Sequence, residues 1–98
     1  MRRAARKDGN HDEIEQVFRS MLADHVTDSS GWHGGAGDLF VSYGTCGAFI
    51  EIKKDEKETL RPLQIQFKNR HPEQWYRCNS VEEAIDISRE IRRMGSVK

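Results

Sequence analysis

Two acids and a lysine occupy positions where strands seldom carry charge. Glu51 and Lys53 interrupt the apolar run Ala48, Phe49, Ile50, Ile52, and Asp38 opens a second run at Gly37-Asp38-Leu39-Phe40. Burying such groups unpaired costs several kcal/mol, so something must compensate them. A divalent cation is one answer: two carboxylates, a backbone carbonyl and waters supply the octahedral oxygen shell that Mg²⁺ takes. A bound cation lowers the pKa of water and neutralises charge growing on a phosphorane-like transition state. A lysine two residues past the glutamate shares its face and could hold the attacking water or steady the scissile phosphate. The Asp-x(12)-Glu-x-Lys spacing fits a blander reading equally well. In that reading Asp38 pairs with Lys53 and Glu51 with Lys54 as half-exposed salt bridges of little energetic weight.

The elements that must position these residues follow from periodicity. Residues 11–23 read as a helix, with Asn10 or Asp12 as caps and Ile14, Val17, Phe18, Met21 and Leu22 in one apolar stripe. Glu13 and Glu15 flank that stripe on opposite sides, and either could reach inward. A short strand is expected at 25–27, followed by a glycine-rich loop over 28–37. Runs at 38–43 and 48–53 flank Gly44-Thr45-Cys46-Gly47, a hairpin signal. Pairing Tyr43 with Ala48 would set Asp38 opposite Lys53 and Phe40 opposite Glu51, with Asp38, Glu51 and Lys53 on one face. After the solvated charge run 54–58, Pro62 opens a helix to about residue 70, and 75–78 forms a strand. That strand is expected to lie parallel to the second hairpin strand through a right-handed crossover. Ser80-Val81-Glu82-Glu83 is a capping box opening a last helix that buries Val81, Ala84, Ile85, Ile87, Ile91 and Met94. The resulting class is α/β with a mixed sheet.

The chain has 98 residues, enough for one modest core, placed here at 11–98 behind a basic arm at 1–10. Sixteen basic and sixteen acidic side chains cancel, which excludes a globally basic nucleic-acid binder but not a local one. Arg2, Arg3, Arg6 and Lys7 crowd the arm, and Arg89, Arg92, Arg93 and Lys98 the other end. Both ends fit solvated tails or phosphate contacts. Zero net charge also removes the repulsion that keeps small proteins apart. No apolar run approaches a membrane span or signal-peptide core, and two cysteines make no disulfide framework, so a reducing cytoplasm is expected. Cysteine and histidine spacings match no structural zinc motif. Gly34-Gly35-Ala36-Gly37 leads into a strand and lacks a Gly-Lys-Ser/Thr ending, which excludes a nucleotide-binding loop. In the glycine loop, Trp32 fits a base-stacking wedge or a loop anchor folded on the core, and His33 fits a DNA or metal contact or a plain exposed position. Lys54 is a further candidate for DNA contact.

These residues together resemble the PD-(D/E)xK nuclease superfamily, most closely its small VRR-NUC-type domains that stand alone in phage and prophage genomes. The resemblance runs through Arg2-Arg3-Ala4-Ala5-Arg6-Lys7-Asp8-Gly9-Asn10 with Glu13, the glycine loop before Asp38, and Phe49-Ile50-Glu51-Ile52-Lys53. It continues through Leu60-Arg61-Pro62-Leu63-Gln64 with Phe67, and Asn79-Ser80-Val81-Glu82-Glu83-Ala84. It implies a restriction-endonuclease-like αβββαβ core with a C-terminal helix. It implies Asp38 and Glu51 as ligands of Mg²⁺ or Mn²⁺, with the Ile52 carbonyl as a third, and Lys53 as catalytic lysine. It selects Glu13 over Glu15 as the first-helix acid and gives Gln64 a place facing the site. The activity implied is DNA endonuclease, similar to that of dimeric Holliday-junction resolvases, with branched or duplex DNA as partner and a homodimer as the unit. Gly37 stands where the family usually has proline, which implies a looser entry into Asp38.

Overall fold

The computed structural model describes residues 10–21, 23–32 and 36–96. The chain order is α1 (His11–Ser20), β1 (His25–Asp28), β2 (Leu39–Tyr43), β3 (Cys46–Ile52), α2 (Pro62–Arg70), β4 (Trp75–Cys78) and α3 (Val81–Ser96). The strands form one mixed sheet in the order β1-β2-β3-β4. β1, β2 and β3 pair antiparallel, while β3 and β4 pair parallel with α2 as the connection between them. The expected helix, three strands, helix, strand and final helix are all present.

Strand alternation divides the sheet into two chemically different faces. Leu39, Val41 and Tyr43 of β2 and Ala48, Ile50 and Ile52 of β3 are buried against Ile14 and Phe18 of α1 and Ala84, Ile87 and Ile91 of α3. The residues between them, Phe40 on β2 and Phe49 and Glu51 on β3, belong to the other face, which α2 partly covers through a Phe49–Phe67 edge contact at 5.1 Å.

Three local departures from the sequence expectation have physical causes. α1 stops at Ser20 rather than continuing to residue 23. The chain must turn there so that Asp24 N–H can donate to the Ser42 carbonyl at 2.8 Å, and the Asp24 carboxylate also accepts from Gly44 N–H at 2.7 Å. The hairpin turns on Gly44-Thr45, so Tyr43 faces Cys46, not Ala48, and Phe40 faces Phe49, not Glu51. Alternation determines which residues share a face but is blind to a slip of two, and a slip of two preserves the face. Third, the box before α3 is spread over one more residue. Ser80 Oγ accepts from Glu83 N–H at 3.1 Å, while the Glu83 carboxylate accepts from the amide of Asn79.

Two contacts fasten the helices to the sheet ends. Asn10 Nδ2 donates to the Lys53 carbonyl at 3.2 Å and the Asn79 carbonyl at 2.9 Å, tying the start of α1 to the ends of β3 and β4. At the far end, Gly95 of α3 lies against the hairpin, where Thr45 Oγ1 donates to its carbonyl at 3.3 Å. Among the described residues no helix is long and apolar enough to cross a membrane.

Candidate active site

Asp38 enters β2 with its backbone fixed from both sides. Its N–H donates to the Ile50 carbonyl at 2.8 Å, and its carbonyl accepts from Ser29 N–H at 2.9 Å. The hydroxyl of the fully buried Ser29 donates to the Gly37 carbonyl at 2.9 Å. Gly37 itself has φ +114°, and a Cβ there would lie 3.0 Å from the Ile50 carbonyl oxygen. Proline, locked near −65°, could not adopt this backbone. The looser entry expected from the missing proline is therefore not what the structure has: glycine is the residue this tight approach requires, and three hydrogen bonds hold it.

The Asp38 side chain reaches along the sheet, and its Oδ2 accepts from Ile52 N–H at 2.8 Å. Glu51 follows Ile50, the partner of Leu39, so the two carboxylates stand beside each other on adjacent strands. Glu51 is only 6% exposed, and its Oε2 receives Lys53 Nζ at 3.4 Å and Gln64 Nε2 at 2.8 Å. Gln64 is oriented from its other end, because its Oε1 accepts from Arg61 N–H at 2.8 Å. One amide thus caps α2 with its oxygen and donates from its nitrogen to the carboxylate. The ion pair differs from the blander reading above: Lys53 is itself buried and pairs with Glu51, whereas Lys54 is exposed and its amide donates to Glu58 at 2.6 Å.

Asp38, Glu51 and Gln64 line a cleft of about 610 Å³, with Trp32 and the Arg61-Pro62-Leu63 start of α2 at its sides. Burial raises the Glu51 carboxyl from its ordinary 4.5 to about 7, the Asp38 charge adds to this, and Lys53 and then Arg61 oppose it. Because the folded value lies above the unfolded one, this group's contribution to stability is complete below about 4.5 and lost as pH rises through about 7. In EDTA, denaturation at pH 8 should therefore show a protein less stable than at pH 5, by up to about 3 kcal/mol from Glu51. Glu51→Gln should remove that portion of the slope, and an unchanged slope would mean the carboxyl is not perturbed.

Several expected residues are not gathered here. Glu13 is exposed and lines a groove between α1 and α3 with Val17, Val81 and Ile85. Turning Ile14 and Phe18 into the core leaves Glu13 on the flank that lines this groove and not among the residues of the Asp38–Glu51 cleft. Glu15 instead pairs with Arg19 at 2.7 Å. Arg2, Arg3, Arg6, Lys7 and His33 lie outside the described residues. Ile52 buries its side chain in the core, so its backbone alone is near the carboxylates.

Two arginines belong to this region although neither was among the expected site residues. Arg61 stands at the cleft side immediately before Pro62, inside the Leu60-Arg61-Pro62-Leu63-Gln64 stretch that carries the resemblance but with no role implied for it. Arg77 faces Glu51 across the parallel pair and donates to the carbonyls of Asp55 and Glu58, which shapes the 54–60 loop. Cys78 is no nucleophile candidate, since burial pushes its thiol up to about 12. Among the described residues no three His, Cys, Asp or Glu side chains converge, so the acid pair Asp38 and Glu51 is the cluster available to a cation. Comparison with protein-family models, with curated proteins and with solved structures finds no match to this chain.

Proposed function

We propose that the chain is a divalent-metal-dependent DNA endonuclease, hydrolysing phosphodiester bonds with a preference for junctions, flaps or other branches. The observation that most supports this reading is the acid pair Asp38 and Glu51 in one cleft, with both Lys53 and Gln64 anchored on Glu51 Oε2. The donor set suits a hard cation: adjacent carboxylates, one almost fully buried, create negative charge that Mg²⁺ or Mn²⁺ would offset. Asp38 and Glu51 would hold it, Glu51 through Oε1 because Oε2 already takes two donors, with the Ile52 carbonyl as third candidate. When bound, the cation supplies an activated water and neutralises charge at phosphorus. Gln64 fixes the carboxylate's orientation, and Lys53 keeps a proton donor beside it. Arg61, at the cleft side, is placed for a bidentate contact to phosphate oxygens. The basic arm would add sequence-independent phosphate contacts, and a homodimer would present two sites to opposite strands.

A second reading, a DNA-binding or phage replication or packaging accessory module that keeps the fold without cleaving, draws support from Lys53. Its ammonium is spent on Glu51, and Lys53 does not line the cleft. Labelled linear duplex, flap and four-way-junction DNA incubated with Mg²⁺, Mn²⁺ or EDTA separates the two. Cutting that needs metal and favours a branched substrate is the expected result. DNA retained in a gel but uncut under either metal would transfer the assignment to the second reading.

A further inference from the structure

Among the described residues three large apolar side chains remain exposed, Trp32 at 49%, Leu63 at 56% and Ile65 at 44%. Two of them, Trp32 and Leu63, line the carboxylate cleft. Trp32 is not a loose loop residue. Its N–H donates to the Ser29 carbonyl at 2.9 Å, its ring stacks on Phe40 at 6.2 Å and 28°, and Phe49 meets it edge-on at 5.7 Å. Phe49 is in turn braced by Phe67 of α2. An indole whose role was only to anchor its loop would bury itself in this row. This one is backed by two rings, lines the cleft and still leaves about half its surface exposed.

We infer that Trp32 is a stacking platform for one unpaired base, placed so that the neighbouring phosphate lies over Asp38 and Glu51. The inference rests on the endonuclease reading for the phosphate and deepens it by naming the substrate class as DNA carrying an unpaired nucleotide. Bases inside a continuous duplex are stacked on one another and present no face to such a ring, whereas a bulged, frayed or branch-point base does. The cleft, at about 610 Å³, falls within the range of about 300–1,000 Å³ typical of pockets that enclose small ligands. Arg61, on the same cleft, supplies the charge that a nucleotide's phosphate requires. Because the ring is already fixed by Phe40 and Phe49, little side-chain freedom is lost when a base stacks on it.

The test uses the full chain with Ca²⁺ in place of Mg²⁺, with continuous duplex and the same duplex carrying one unpaired adenine, read by tryptophan fluorescence. Trp75 is 5% exposed, so quenching on binding reports Trp32. The expected result is strong quenching and tighter binding with the unpaired adenine only. Trp32→Ala should lose both, lowering affinity for the bulged duplex about tenfold and leaving the continuous duplex unchanged. Trp32→Phe should retain most of the preference, which separates stacking from loss of loop packing, and Trp75→Phe should keep the quenching. Equal preference in Trp32→Ala and the parent, or no binding of either DNA, would overturn the inference. Cleavage with Mg²⁺ is a separate readout. A Trp32-dependent preference without cutting upholds the platform and removes the nuclease, and cutting with no Trp32-dependent preference does the reverse.

Discussion

Asp38→Asn should reduce Mg²⁺-dependent cleavage by on the order of a thousandfold or more while leaving the protein folded, a loss of about 4 kcal/mol of transition-state stabilisation. Asparagine keeps the shape of the side chain and an oxygen able to accept from Ile52 N–H, the 2.8 Å contact that fixes Asp38 over β3. What disappears is the charge that would meet a cation. Lys53→Ala is the less clean experiment, because it strips the buried Glu51 of a cation 3.4 Å away and mixes folding with chemistry. The measurement is initial cleavage rate with circular dichroism and thermal melting as fold controls. An Asp38→Asn protein that cuts at the parental rate removes Asp38 from the chemistry and with it the proposed site.

Gly95→Ala carries the largest expected effect on stability, with a sign opposite to helix propensity. Alanine in place of glycine inside a helix ordinarily gains about 1 kcal/mol. Here the new Cβ would overlap the Tyr43 carbonyl oxygen and stand 3.3 Å from the Cys46 nitrogen, both rigid backbone. The last turn of α3 must lift from the hairpin, losing the Thr45 contact to the Gly95 carbonyl and the packing around it. A net loss of about 2–3 kcal/mol is expected in urea denaturation. A neutral or stabilised variant would mean that α3 does not rest its last turn on the Gly44-Thr45 turn.

What could be read from sequence followed the apolar pattern. Ile14 and Phe18, or Ala84, Ile87 and Ile91, recur at helical spacing because they meet one core, and strand alternation alone put Glu51 on the face away from Ile50 and Ile52. The hairpin register was hidden because pairing Tyr43 with Ala48 or with Cys46 gives the same faces. The apolar pattern made α2 legible as a helix from Pro62 but not in its orientation, which only the resemblance, with Gln64 facing the site, implied. Its inward residue is the polar Gln64, while Leu63 and Ile65 point to solvent, the reverse of an amphipathic stripe. The network on Glu51 Oε2 depends on that reversal, so no hydrophobic pattern could have revealed it. Glu13 shows the complementary limit: the helical period puts an acid beside the apolar stripe but does not say which groove the packing of that stripe brings it to, here the one between α1 and α3.

Ser29 gives this small protein a division of labour along its chain. With its amide on the Asp38 carbonyl and its hydroxyl on the Gly37 carbonyl, it closes both ends of the 30–36 segment at one point. The backbone of Asp38 is then held by Ser29, at the end of β1, and by Ile50. Once its ends are joined, doubling a loop's length costs only about 0.6 kcal/mol more in chain entropy. The side chains of Trp32 and Ala36, inside the segment, still line the carboxylate cleft, so only the backbone of Asp38 is insulated from the loop. A longer loop between the same two anchors would leave the backbone of Asp38 tied to Ser29 and Ile50.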